Sequence, residues 1–425
     1  MANEGEGFDP ASRRRAHPDP RNPLDTRNPQ AHANGEIFSI FDALRDEGPV
    51  VWNPESQDRG FWAVVGYDEV AHALKDTTTF SADFRNGGNR IFDNRDVTNQ
   101  PGRMLLALDP PERKDLRDAI AGFFSPARVK AMEPTLQERA DRLVGAIASQ
   151  GSAEFVSCVA APFSIGLTTD MLGVPESFGS TLDGWIQTLL ADDDPALQPS
   201  LDVRRKAIED FDAWAEQLFV GTLKPETGLV DALRSASVGG TRLDFNDFSL
   251  NLMAFTTASS DTTRHALTSA VLALSSASQS DRARIAADRG FALLAAREII
   301  RWSTPLAHVR RTAMRDVTLG GAKVRKGDKV VLWYIAANRE AGKWAQPDVL
   351  NLHRFGQASV TTSLAFGAGP HFCLGWRIAE LEVAIMLQTL LRLTPDIQPD
   401  GPPVRALSNF IRGIRLLHTV FTPNA

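Results

Sequence analysis

The chain has little cysteine: two residues in 425. That excludes a disulfide-stapled scaffold and agrees with a reducing cytoplasm. No run approaches the roughly 18 apolar residues that a membrane-spanning helix needs. The opening "MANEGEGFDPASRRRAHPDPRNP" is polar and proline-rich and has no apolar stretch, so it reads as neither signal peptide nor anchor. There is no excess of base either: a formal net charge of −6 argues against a nucleic-acid partner. Proline-rich linkers and internal repeats are absent after residue 30. One compact unit is therefore expected over residues 31–425, behind a flexible polar leader of residues 1–30.

Thr241 to Arg289 contains neither glycine nor proline. Within it, "DFNDFSLNLMAFTTASSDTTRHALTSAVLALSSAS" predicts one helix of about thirty residues, some 45 Å long. Strand signals lie near both ends of the chain: Val50–Trp52 and Phe61–Val65, then a hairpin at Leu319-Gly320-Gly321 and a buried strand over Val330–Tyr334. Helical patterning dominates residues 111–302. Helices in the middle with sheet pieces at the ends predict an α-rich α+β fold, a helical main lobe with a small β-rich lobe.

The stretch "FGAGPHFCLGWRIAELE", residues 366–382, carries the chemistry. Cys158 has only apolar neighbours and is assigned to the core. Cys373 instead follows Gly367, Gly369 and Pro370, which permit a tight loop with positive-φ corners, and it precedes an apolar helix over Leu374–Leu391. A cysteine ahead of a helix start meets unpaired N–H groups and the positive end of the dipole, which favour thiolate. Zinc lacks clustered His or Cys partners. A buried structural thiol, a nucleophile with His371 or His308 as base, and the sole protein ligand of a haem iron stay open.

The same stretch resembles the haem-binding loop of the cytochrome P-450 superfamily, Phe-Gly-x-Gly-x-(His/Arg)-x-Cys-x-Gly. Phe366, Gly367, Gly369, His371, Cys373 and Gly375 match every fixed position. The resemblance runs from about Phe41 to the C-terminus and is strongest to bacterial soluble members of actinobacterial type. It implies a haem b cofactor (iron protoporphyrin IX) with Cys373 as axial thiolate, and Phe366 packed by the sulfur. It also implies a Glu298–Arg301–Arg354 structural set; taken alone, "EIIR" reads as an ordinary surface ion pair.

In the family pattern Ala-Gly-x-(Asp/Glu)-Thr-Thr, matched by "ASSDTT", Asp261 relays protons and Thr262 presents its hydroxyl to bound dioxygen. Ser259 stands where a glycine is usual, which bears on the groove beside the helix. Arg113, Arg117, Arg311 and His371 fall at positions that contact the haem propionates, with Arg310 less favoured.

By the same resemblance Ala254, Thr257, Ala258, Ala307, Val309 and Phe410 line a substrate pocket closed by the loop of residues 85–103. Small residues there suit a bulky, mostly apolar molecule. The implied activity is hydroxylation of a terpene, sterol or other natural product by a cytoplasmic monomer. Ferredoxin and ferredoxin reductase would supply electrons, with docking at Arg377 and Lys114. Oxidative coupling or desaturation by the same oxidant is the alternative. A haem sensor is disfavoured by the acid–alcohol pair, and a haem-free cysteine hydrolase by the loop match.

Overall fold

The computed structural model describes residues 22–55, 60–92, 102–190, 199–357 and 361–422. Five strands form the main sheet: β1 (Val50–Pro54), β2 (Gly60–Val64), β3 (Phe80–Ser81), β4 (His308–Ala313) and β5 (Lys329–Trp333), in the order β1-β2-β5-β4-β3. Only β2 and β5 pair in parallel, Trp62 opposite Val330 and Val64 opposite Leu332. The predicted strands therefore form within a residue or two of their expected ends. Tyr334 is the exception, since it opens a short helix, Tyr334–Ala337. The hairpin also forms: Gly320 and Gly321 take φ of +54° and +85° between Val317–Leu319 and Ala322–Val324. Two consecutive positive φ values are what a tight two-residue hairpin turn demands.

The helices used below are α1 (Tyr67–Lys75), α2 (Glu112–Ala121), α3 (Pro126–Ala148), α4 (Ala161–Leu172), α5 (Gly179–Leu190), α6 (Leu201–Val220), α7 (Phe245–Ser276), α8 (Arg289–Ser303) and α9 (Trp376–Leu393). The predicted long helix is α7, 32 residues without a break, about 48 Å at 1.5 Å per residue. A capping box starts it: Asp244 accepts from the Asp247 amide, and Asp247 accepts from the Asp244 amide. From Thr263 to Leu274 nearly every residue is buried. A helix stretch buried on all sides belongs inside a bundle, and α7 packs on α4, α5, α6, α8 and α9. Helix α9 is buried on most sides too, through Ile378, Leu381, Ile385 and their neighbours.

One large apolar core joins α2 to α9, and two smaller clusters cover the two faces of the sheet. This is the expected α-rich α+β fold, with a helical lobe and a smaller sheet lobe. The Glu298–Arg301–Arg354 set locks α8 to the irregular stretch that leads to the cysteine loop. Glu298 and Arg301 are fully buried and Arg354 is 5% exposed. Arg301 grips the Glu298 carboxylate at 2.7 and 2.8 Å, and Arg354 Nε reaches both of its oxygens at 3.1 Å. The remaining guanidinium N–H groups donate to the carbonyls of Asn338, Pro347, Ala345, Gln346 and Val349. These residues are no surface pair.

Two expectations need correction. The leader does not extend to residue 30, because Asp25, Thr26 and Arg27 are buried. Thr26 bonds Asn53, and the Arg27 carbonyl accepts from Asn409. Residues 1–21 lie outside the described residues. Cys158 is exposed rather than in the core. It sits on a π-helical turn, Val156–Ala160, which turns Val156, Val159 and Ala160 inward and leaves Ser157 and Cys158 outside.

Candidate active site

The cysteine loop is shaped by two left-handed glycines, Gly367 at φ +71° and Gly369 at φ +65°. A Cβ on Gly369 would lie 2.6 Å from the Leu74 carbonyl oxygen and 2.9 Å from the Lys75 Cα. The loop thus rests on the last turn of α1, at a spacing only glycine permits. The Cys373 amide donates to the Phe366 carbonyl at 3.0 Å and closes the loop around the sulfur. Phe366, Phe372 and Trp376 stand edge to face beside it, with centroids 6.5 and 6.0 Å apart. Helix α9 begins at Trp376, and the amides of Gly375 and Trp376 both point at the sulfur.

Those amides do not by themselves ionise the thiol. Burial pushes Cys373 up, and the Gly375 and Trp376 amides with Arg117 offset only part of that rise. The helix end favours thiolate as expected, but burial outweighs it, and a further positive charge would hold the ionised form. A metal cation supplies one, since ligation deprotonates its thiol. Among the described residues no cluster of three His, Cys, Asp or Glu is placed to hold a metal ion. Cys373 would thus be the one protein ligand.

The surroundings are rich in cations. Arg113 on α2 and Arg311 on β4 are buried, and Arg117 is half-buried one turn along from Arg113. Arg113 Nε donates to the Pro370 carbonyl at 3.0 Å and its Nη1 to Leu105, while Arg117 Nη1 donates to the Phe372 carbonyl at 2.8 Å. Burial brings Arg113 down to about 9, and the like charges of Arg117 and Arg311 add to the fall. Burial, opposed by Asp109 and reinforced by Arg311 and Arg113, brings His371 down to about 3. At neutral pH His371 is thus a neutral donor, not the cation expected of it. Burial likewise pushes the nearby Tyr334 phenol up to about 12.

Among the described residues Asp109 is the carboxylate that acts on both Arg113 and Arg311, and Ser81 and the Ala82 amide donate to it. Arg311 Nε and His371 Nε2 are buried with no hydrogen-bond partner; the latter has Asp109 only at 3.8 Å. Buried cations and donors left in this state are costly unless an anion arrives. A metal macrocycle bearing two carboxylates fits both deficits, the missing positive charge at sulfur and the missing negative charge at the arginines.

The acid–alcohol pair lies midway along α7. Thr262 is half-buried, and its Oγ1 donates to the Ala258 carbonyl at 3.0 Å. Asp261 is 4% exposed; Gln187 of α5 donates to its Oδ1 at 3.2 Å, and His265 Nε2 lies 3.6 Å from its Oδ2. Burial alone would raise Asp261, but His265, then Arg264 and Gln187, hold it at about 2. It is a carboxylate at neutral pH. Ser259 donates to the Phe255 carbonyl at 2.7 Å and pairs with Thr168 of α4 at 2.8 Å. Its hydroxyl is tied to a neighbouring helix, and α7 continues through it.

Among the expected pocket residues, Ala258 is exposed, and Ala254, Thr257 and Phe410 are half-buried. Arg90 stacks on Phe410 at 3.7 Å. Val309 is 8% exposed, in the cluster that also holds Tyr334 and Ala368. Ala307 does not line a pocket. It is wholly buried among Trp333 and Ile335, and its peptide binds Phe410 and Ile335 at 2.9 and 3.2 Å. It anchors the Phe410 loop to the sheet. Residues 93–101 of the expected closing loop lie outside the described residues. Arg103 fastens the end of that loop to Asp247 on α7 at 2.6 Å.

Sequence reasoning missed Asp109, Gln187, His265 and Tyr334. His265 alone carried a local signal, four residues beyond Asp261 on one helix face. A half-buried cysteine in a glycine loop, excess arginines around it and an acid–alcohol pair on the central helix define a haem-thiolate oxygenase.

Comparison with known proteins agrees. The family model described as Cytochrome P450 matches residues 294–412. A linalool 8-monooxygenase from Pseudomonas putida is 31% identical over 94% of this chain and 99% of its own length. A methyl-branched lipid omega-hydroxylase from Mycobacterium bovis is 32% identical over 89% of each chain. A solved Mycobacterium marinum cytochrome P450 in complex with pseudoionone superimposes with a TM-score of 0.82, at 29% identity, over 95% of this chain and 99% of its own. The chain belongs to the cytochrome P450 family and is a monooxygenase of it.

Proposed function

We propose that the protein hydroxylates a mostly apolar small molecule, a terpene, sterol or other natural product, in the cytoplasm with electrons from a separate ferredoxin and its reductase. The observation that carries the reading is the paired deficit around Cys373: a half-buried thiol that needs a cation, and guanidiniums that need carboxylates. A haem held there supplies activation of dioxygen for insertion of one oxygen atom into a C–H bond. Cys373 would hold its iron, and Arg113, Arg117 and Arg311 its carboxylates, with His371 as neutral donor.

Asp261 and Thr262 hold and move protons. The Thr262 hydroxyl turns from the Ala258 carbonyl to donate toward the cleft, and Asp261 Oδ1 and Oδ2 accept and return the protons that replace it. Small side chains at Ala254 and Ala258 leave room for a bulky substrate. Relatives named for linalool, methyl-branched lipid and, at 28% identity, steroid oxidation support an apolar substrate class. On the surface nearest the cysteine loop Arg377, stacked on Trp376 at 4.2 Å, and Lys114, paired with Asp118, are exposed. They would steer an acidic electron donor.

The test has two parts. Purified protein expressed with ample haem should be red, its reduced carbonyl complex should show the red-shifted Soret band of thiolate-ligated haem, and Cys373→Ser should abolish that band. With labelled dioxygen, one labelled atom should appear in the product. Unlabelled product would instead favour coupling or desaturation. Reduction rates unresponsive to ionic strength and to charge reversal at Lys114 and Arg377 would remove the docking surface.

A further inference from the structure

A buried imidazole faces the relay carboxylate from the same helix, and no part of the reading above uses it. His265 is 7% exposed and lies one turn beyond Asp261, with its Nε2 3.6 Å from Asp261 Oδ2. Its other nitrogen, Nδ1, is buried and has no hydrogen-bond partner. The ring is held in place from above. A Cβ on Gly413 would lie 2.3 Å from both Cε1 and Nε2 and 2.5 Å from Nδ1, so the C-terminal loop lies flat against the imidazole. Only the absence of a side chain at residue 413 allows the ring to occupy that place.

The other charged side chains nearby make their hydrogen bonds elsewhere. Arg264, the neighbouring cation on α7, is bound to Asp183 of α5. Gln187, also on α5, is neutral and takes the other carboxylate oxygen at 3.2 Å. Arg412, next to Gly413 in the loop, is turned to the Ser303 carbonyl at 3.0 Å. Among the described residues, His265 is therefore the neighbour of Asp261 able to give up a proton.

Resting on the monooxygenase reading, we propose that His265 is the positioning residue that recharges Asp261 with protons, so that the relay of this chain is Thr262–Asp261–His265 and not the acid–alcohol pair alone. In the step, the two groups close from ion-pair to hydrogen-bond distance and the imidazolium Nε2–H bond breaks as an O–H bond forms at Asp261 Oδ2. Imidazolium becomes imidazole and carboxylate becomes carboxyl. The ring keeps its Nδ1 proton; a solvent proton delivered as hydronium then adds at Nε2, leaving water and restoring the imidazolium, and no electron changes hands. The hold of His265 on the Asp261 carboxylate described above agrees with this direction of charge.

The experiment follows the histidine directly. Holoenzyme with ring-labelled histidine, studied as its diamagnetic ferrous carbonyl complex, reports the His265 titration by nitrogen NMR. Asp261→Asn should change the His265 midpoint measured in this way, because Asp261 Oδ2 is the partner of its Nε2 at 3.6 Å. The share of electrons recovered in product, not peroxide, should fall in wild type as pH rises through that midpoint. His265→Gln keeps a donor to Asp261 but carries no titrating proton. It should lose the inflection and reduce product per electron on the order of a hundredfold, the low end for an acid–base group. Gly413→Ala keeps the histidine but displaces its ring, and should move the midpoint and blunt the inflection.

All variants are first checked for the thiolate Soret band. An unmoved His265 midpoint in Asp261→Asn, or a wild-type pH profile in His265→Gln, overturns the proposal. Failure to incorporate labelled oxygen would overturn the monooxygenase reading and leave the Asp261–His265 linkage measurable.

Discussion

Glu298→Gln should be among the most damaging single-atom changes available in this chain. The carboxylate accepts from Arg301 Nε and Nη2 at 2.7 and 2.8 Å, from Arg354 Nε at 3.1 Å, and from the Asn351 amide at 3.0 Å. Glutamine keeps the shape, but one oxygen becomes an NH₂ that must face a guanidinium. Two buried cations then share a single neutral acceptor. The side chains of Arg301 and Arg354 are 0% and 6% exposed, so water cannot substitute. Breaking a buried ion pair by removing one partner costs about 3–5 kcal/mol, a large part of the roughly 5–15 kcal/mol that holds a typical domain. Urea unfolding of the holoenzyme, followed by far-UV circular dichroism, should show a clearly lowered midpoint with an unchanged slope. Lys114→Ala removes an ion pair of similar geometry on the open surface and should leave the midpoint in place. A Glu298→Gln protein that unfolds with wild type would refute the account of this set as a charge-balanced lock.

Three further outcomes follow from the same geometry. Glu382 is 1% exposed and burial pushes it well above the ordinary carboxyl range, although Arg139 and Thr263 pull it down. The folded state then holds a proton the unfolded state has lost, so stability should decline as pH rises above about 4.5. Glu382→Gln should flatten that slope in unfolding free energy measured from pH 5 to 8. Gly369→Ala places a Cβ against the Leu74 carbonyl at a φ of +65°. It should weaken haem retention, read as faster haem transfer to apomyoglobin, while far-UV circular dichroism stays near wild type. Ser259→Gly removes the 2.8 Å bond to Thr168 and puts glycine in a helix interior. The sum should be about 1–2 kcal/mol of lost stability by denaturant titration.

Local signals were enough for much of this. The gap in glycine and proline marked α7, paired glycines marked the hairpin, and six positions at fixed spacing marked the cysteine loop. Each is a property of neighbours in the chain. What stayed hidden depends on residues far apart. "EIIR" has the spacing of a surface pair, and only Arg354 and five carbonyls from residues 338–349 make it a buried one. Cys158 has apolar neighbours, but a π turn changes which of them face inward. Ala307 looked like a pocket wall until its peptide was seen to hold the Phe410 loop. Gln187 reaches Asp261 across 74 positions of chain, and nothing near it in sequence announces that contact. The rise at Cys373 is likewise a matter of burial, which a motif does not encode.

The crowding of Arg113, Arg117 and Arg311 has a consequence for how much of this protein a cell can keep. Without their counter-anion the three repel one another inside the fold, so the haem-free chain is held together less firmly than the loaded one. A ligand that binds only the native state stabilises it by mass action, about 1.4 kcal/mol for each tenfold excess over its dissociation constant. Folding and cofactor supply are thus one equilibrium. When haem is scarce the loss should fall on the amount of native protein, with chaperones and proteases taking the remainder, and not only on its colour.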